Sequence, residues 1–141
     1  MNHVAEIKKW FELAVPEPTE RTFWIQAGCD AEEYGEQLRA MNCNHTAEKI
    51  ESLADEWKSH PCDYTTSSVS RKDLLDALCD KIVTSIGMAH MLGMDIEGAL
   101  AEVNRSNFSK FVDGKPVFNA QGKIAKPESY SPPELEQFLG E

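Results

Sequence analysis

The sequence predicts an all-α fold: a bundle of four to five helices followed by an irregular C-terminal arm. Three observations carry that expectation. Gly, Pro and capping residues cut the chain into helix-length segments. Within those segments apolar side chains gather on one arc at helical spacing. The last thirty or so residues, by contrast, hold Gly114, Gly122 and four of the seven prolines.

A first short helix is expected over about Val4–Leu13, stopping before the Pro16–Pro18 loop. Thr19 is a suitable N-cap for a long second helix through about Met41. Asn44 or Thr46 opens a third, roughly Ala47–Lys58, and His60–Ser68 reads as loop. Ser70-Arg71-Lys72-Asp73 has the form of a capping box and opens a fourth helix, which ends at Leu92-Gly93. Asp95 caps a fifth, Ile96 to about Phe111. Beyond it the arm offers at most a small hairpin over Val117–Ile124, turning at Gln121-Gly122, and a helical turn after Ser131-Pro132-Pro133. The 141 residues suit one domain, with a helical core over about 4–111 and an arm over 112–141.

Charge narrows the functional classes. There are 24 Asp and Glu against 14 Lys and Arg, a formal net charge of −10. A nucleic-acid binder needs a basic face to displace counterions, so nucleic acid is not an expected partner. No apolar run approaches the ~18–20 residues that span a bilayer, so neither is a membrane. The N-terminal stretch has scattered charges and no apolar h-region. Cys29, Cys43, Cys62 and Cys79 are therefore expected as reduced thiols of a cytoplasmic protein. Cys43-x-His45 and His60-x-Cys62 offer zinc-ligand residue types, but at spacings foreign to common structural zinc sites. They read as loop residues.

The acids are not scattered. Successive helical residues are about 100° apart, which puts Glu32, Glu33 and Glu36 within an arc of about 100° on the second helix. Phe23, Trp24, Ala27, Ala31, Tyr34, Leu38 and Met41 form a separate apolar arc. Gly28, Gly35 and Ile25 border the acids, a combination that suggests close approach by another element. On the fourth helix Asp76 and Asp80 stand at i and i+4, and Asp73 serves the capping box. Ile82–Gly93 contains no Asp, Glu, Lys or Arg, so this helix is expected to be largely buried, with His90 as a core histidine. Buried acids need partners, and hard carboxylate oxygens suit Mg²⁺ or Mn²⁺.

Glu32–Glu36 followed by Asp76-x-x-x-Asp80 resembles the all-α nucleoside triphosphate pyrophosphohydrolases, the MazG-like and phosphoribosyl-ATP pyrophosphohydrolase-like superfamily. Gly87-Met88-Ala89-His90, Leu92-Gly93-Met94-Asp95, the Glu102–Lys110 stretch, Asp113–Pro116, Gly122–Pro127 and Tyr130–Leu135 are similar to the C-terminal half of its small phage and bacterial members. The likeness covers roughly residues 23–138. It implies Mg²⁺-dependent hydrolysis of a nucleoside triphosphate between the α and β phosphates. Glu32, Glu33, Glu36 and Asp80 take the metal-binding roles, joined by Asp76, with one acid left to orient or deprotonate the attacking water. The resemblance also implies that Asn107 and Lys110, with Lys123 and Lys126 from the arm, contact the triphosphate. One departure stands out. The family has ExxD in its second motif, and Ala77 occupies the Glu position, so Asp76 supplies a carboxylate of shorter reach. The Asp76/Asp80 register is preferred to Asp73/Asp76 because the motifs that follow then fall into place.

Trp24, Trp57, Phe108 and Phe111 are able to stack a base, but aromatics at helical spacing more often form core. A bundle this short rarely encloses a nucleotide alone, so a homo-oligomer, dimer or tetramer, is expected. The competing class is a non-enzymatic acidic helical protein, an interaction module or a nucleic-acid mimic. A mimic has no use for the late lysines.

Overall fold

Five α-helices, and no strand among the described residues, make up the computed structural model, which describes residues 2–141. They are α1 (His3–Ala14), α2 (Glu20–Ala40), α3 (Asn44–Ser59), α4 (Arg71–Met91) and α5 (Ile96–Phe108). The caps follow local chemistry. Thr19 and Thr22 form a reciprocal capping box on α2, Ser70 accepts from the Asp73 N–H at α4, and Asp95 accepts from the Gly98 N–H at α5. Only α3 departs: Cys43 stands at its N-cap and no side chain caps it. The expected start near Ala47 is thus three residues late, and α5 stops at Phe108 rather than Phe111. No helix among the described residues is long and apolar enough to cross a membrane.

The chain divides into two units. One comprises Glu17–Ser68 with Ala120–Lys123 and is built on the α2–α3 hairpin. Asn42, at φ 62°, turns the chain between the helices. The facing seams alternate small and charged residues. On α2 they are Gly28, Glu32, Gly35 and Arg39; on α3, at the same four–three–four spacing, they are Ala47, Glu51, Ala54 and Lys58. Ala47 and Ala54 are fully buried, and Gly28 and Gly35 are buried opposite them. A Cβ on Gly28 would stand 2.5 Å from Lys58 Cγ and 2.8 Å from the Ala54 carbonyl oxygen. Small side chains therefore let the helices approach closely, and charged ones fix their register. The expected apolar arc is corrected in part: Leu38 is buried, but Tyr34 and Met41 lie exposed, because the glycine side of α2 is the one α3 covers.

The other unit comprises Met1–Pro16, Val69–Asn119 and Ile124–Glu141. Here α1 packs on α5. The Trp10 indole N–H donates to the Asn107 carbonyl (3.0 Å) and its ring stacks on Phe111 at 5.5 Å. The arm is irregular, as expected, yet well tied to α5. Glu134 N–H donates to Glu102 Oε1 (2.9 Å), Arg105 Nη2 to the Pro132 carbonyl (3.0 Å), and Asp95 N–H to the Phe138 carbonyl (2.9 Å). Gly98 leaves room for the Phe138 ring, since a Cβ there would fall 2.6 Å from it. The expected hairpin reduces to an isolated bridge between Phe118 and Ile124, with Gly122 at φ 79° in its turn. A 3₁₀ turn at Glu136–Phe138 follows the prolines.

Helix α4 overturns one expectation. It has no buried residue. Leu75 is 63% exposed, Ile82 55%, Val83 65% and Met91 80%, and His90 is exposed rather than a core histidine. The charge-free run predicts burial, but its own unit leaves every residue of α4 at least partly exposed.

Candidate functional site

Glu32 stands at the centre of the α2–α3 seam. Lys58 Nζ and Lys123 Nζ both reach its Oε2, each at 2.9 Å. Lys58 is 12% exposed at its side chain, Glu32 33% and Lys123 36%. Each group arrives for a structural reason. Lys58 follows Ala54 by one helical turn and shares its buried face. Lys123 is delivered by the turn at Gly122, whose Cβ position lies 3.6 Å from Ile25 Cδ1 on α2. Burial alone would raise the Glu32 carboxyl, but hydrogen bonds from Lys123 and Lys58 outweigh it and hold the group below its ordinary value. Burial likewise pulls the Lys123 ammonium down, and Glu32 more than restores it, leaving the lysine above its usual range. Burial pushes the neighbouring Cys29 thiol up against the pull of both lysines, so it is not an activated nucleophile.

Glu33 and Glu36 are exposed on the same helix. The other sequence-predicted acids, Asp76 and Asp80, belong to α4 in the second unit and are also exposed. Their exposure removes the argument that burial obliges them to hold cations. Among the described residues no three His, Cys, Asp or Glu side chains gather closely enough to hold a metal. Cys43 and Cys62 flank α3 at opposite ends, separated by its 16 residues, or roughly 24 Å of helix. Within one chain they do not share a zinc ion.

Three of the four predicted phosphate contacts come together. Lys110 Nζ donates to Asn107 Oδ1 (3.1 Å), and it lies 5.7 Å from the centre of the Tyr130 ring. Lys126 approaches the same ring at 5.2 Å. Tyr130 thus gathers two cations, a role that its place among late lysines could have signalled. Lys123, which belongs to the other unit, pairs with Glu32. The aromatics named as possible base-stacking groups pack against other aromatic rings, edge-on or tilted. Trp24 meets Trp57 at 5.4 Å and Tyr64 at 4.9 Å, whereas Phe108 meets Phe111 at 5.8 Å.

Lys58 is the residue that sequence reasoning missed. Its signal was the four–three–four spacing of Ala47, Glu51, Ala54 and Lys58, which puts a lysine on a face otherwise marked by buried alanines. Comparison with protein-family models, with curated proteins and with solved structures finds no match to this chain.

Proposed function

We propose that the chain is a Mg²⁺-dependent nucleoside triphosphate pyrophosphohydrolase, acting on cytosolic ribo- or deoxynucleotides in the manner of the MazG-like family it resembles. The observation that carries this reading is the Glu32 cluster. An acid-rich face of α2 holds a carboxylate whose one oxygen already attracts two ammonium groups, beside Glu33 and Glu36 at helical spacing. A divalent cation that displaces a lysine there gains the Glu32 oxygen with Glu33 and Glu36 close by on the same face. Glu32, Glu33 and Glu36 on α2 would hold Mg²⁺ through oxygen donors alone, and the resemblance adds Asp76 and Asp80 of α4 to the candidate ligands. The lack of a preformed three-acid cluster is no obstacle to that fit, because Mg²⁺ usually keeps several waters and takes one or two carboxylates plus substrate phosphates. When bound, the ion polarises a phosphoryl group and acidifies water.

The chain's own residues do the rest. Asn107 Oδ1 fixes the Lys110 ammonium, and Lys110 and Lys126 flanking Tyr130 form a cationic cradle for a polyphosphate. One carboxylate accepts the proton of the water that attacks the α phosphorus, and pyrophosphate departs. A nucleic-acid mimic would need acids alone and gives no account of this lysine cluster.

The test is pyrophosphate release across a panel of ribo- and deoxynucleoside triphosphates with Mg²⁺ or Mn²⁺. Release from at least one of them is expected, reduced by at least about 100-fold in Glu33→Gln and Asp80→Asn. No release from any triphosphate overturns the enzyme reading; wild-type turnover in both variants overturns the residue assignment.

A further inference from the structure

We infer that the exposed face of α4 is the docking surface for the α4 of a second copy of this chain, running antiparallel and centred on Ile82. The face is a seam of Leu75, Leu78, Ile82, Ile86 and Ala89. The first four are 42–63% exposed. A helix apolar over so wide an arc is not stable against water on its own and has to bury that stripe.

The seam itself names the occupant. Its spacing runs three, four, four, three, averaging the 3.5-residue period of a coiled coil. It also reads the same in both directions about Ile82. That symmetry is what an isologous two-fold contact between identical antiparallel helices needs. Ile82 then meets the partner's Ile82, Leu78 lies level with the partner's Ile86, and Leu75 with the partner's Ala89, matching large against small at the ends.

Charge selects the direction. Arg71, Lys72, Asp73, Asp76, Asp80 and Lys81 crowd the N-terminal half, and Ile82–Gly93 carries no Asp, Glu, Lys or Arg. Antiparallel pairing sets each charged half beside a neutral one. Parallel pairing would set Arg71, which continues the seam about 20° from Ile82, against its own copy, a like-charge contact that disfavours it. The aspartates lie about 120–180° round the helix, away from the seam.

The pairing does not depend on the catalytic reading, and failure of either leaves the other standing. The experiment uses the full chain with the exposed Cys43 and Cys62 replaced by serine. Sedimentation should show a dimer, and Ile82→Glu should raise its dissociation constant by at least about 100-fold with helicity by circular dichroism retained. In the Ile86→Cys variant, oxidation should link Cys79 to the partner's position 86, mapped by peptide mass spectrometry; within one helix these positions are about 10 Å apart along the axis and cannot bridge. A monomeric parent chain, a dimer untouched by Ile82→Glu, or an oxidised Ile86→Cys dimer without that link overturns the inference. If Ile82→Glu fails to fold, the cross-link alone decides.

Discussion

The Lys58 ammonium lies 2.9 Å from Glu32 Oε2 with only 12% of the lysine side chain exposed. Together with the fork between Arg39 and Glu51 (2.6 and 2.7 Å) it sets the register of α2 against α3. Both pairs join positions that sum to ninety, as an antiparallel hairpin in one register demands. Glu32→Gln leaves the largely buried Lys58 with only the more distant Asp55 carboxylate, at 3.8 Å. The expected loss is about 1–2 kcal/mol, between an exposed ion pair and a charged hydrogen bond. Urea denaturation followed by circular dichroism measures it. The folded pKa of Glu32 is depressed, so its contribution is present above the ordinary carboxylate pKa and is lost as pH falls through the folded value. The variant's deficit should shrink correspondingly in acid.

Lys123 occupies the same carboxylate oxygen that a divalent cation would use, so the two compete. Lys123→Ala removes the more exposed of the two ammonium groups and should tighten Mn²⁺ binding by about three- to tenfold, the equivalent of roughly 1 kcal/mol of displaced ion pair. Titration followed by electron paramagnetic resonance of free Mn²⁺ reads this directly. Unchanged or weaker binding would remove Glu32 from the metal-binding set.

The two seam glycines should respond differently to alanine. At Gly28 the new Cβ would meet the Ala54 backbone oxygen at 2.8 Å as well as Lys58 Cγ, and backbone does not step aside. At Gly35 its nearest neighbour is Glu51 Cγ at 2.8 Å, part of a flexible side chain. Gly28→Ala is expected to destabilise by about 1–3 kcal/mol through overpacking. Gly35→Ala should fall within about 1 kcal/mol of the native chain, because the helix-propensity gain offsets a small shift of Glu51. Chemical denaturation midpoints of the two variants decide whether the close approach is rigid where backbone meets backbone.

What the sequence made legible follows from range. Caps and breakers act over four residues, so Thr19, Ser70, Asp95 and Gly93 mark the helix ends correctly. Close approach at Gly28 and Gly35 was legible too, because glycines beside acids have few other uses. The covering of α4 was not, since periodicity tells which face wants burial but not what buries it. An interior helix and one awaiting a second chain share one pattern. Lys58 escaped for a related reason: its meaning depends on Glu32, twenty-six positions earlier, and on a register that only the folded hairpin defines.

Gly87 is a mid-helix glycine with nothing within 4 Å of its Cβ position. It lies about 140° round α4 from Ile82, away from the seam. Glycine there costs conformational entropy for no packing return, so Gly87→Ala should stabilise by roughly 0.5–1 kcal/mol. Thermal unfolding should shift upward by about 2–4 °C, with the association constant unchanged. A fall in stability would show that this side of α4 is also covered in the assembled protein.

Acid should release the C-terminal arm before it melts the helices. Arg105 holds Glu102 in a two-pronged contact at 2.8 and 2.7 Å, and the Glu134 N–H donates to the same carboxylate. These bonds lower the Glu102 pKa from 4.5 to about 2. A depressed folded pKa means the contact favours the docked arm fully above the unfolded value. That preference weakens as pH falls below 4.5 and is gone below about 2. Pepsin remains active across that window, and the arm offers it Leu135, Phe138 and Leu139. Cleavage there should accelerate progressively as the buffer is taken from pH 4.5 towards 2, with α5 still helical by circular dichroism. Glu102→Gln keeps the size of the side chain and removes the titration. Its arm should be cut faster than the native one at pH 4.5, and at a rate that no longer follows Glu102 protonation. Equal cleavage of the two proteins at pH 4.5 would show that the arm is held by its other ties, the Asp95–Phe138 hydrogen bond and the Phe138 ring against Gly98.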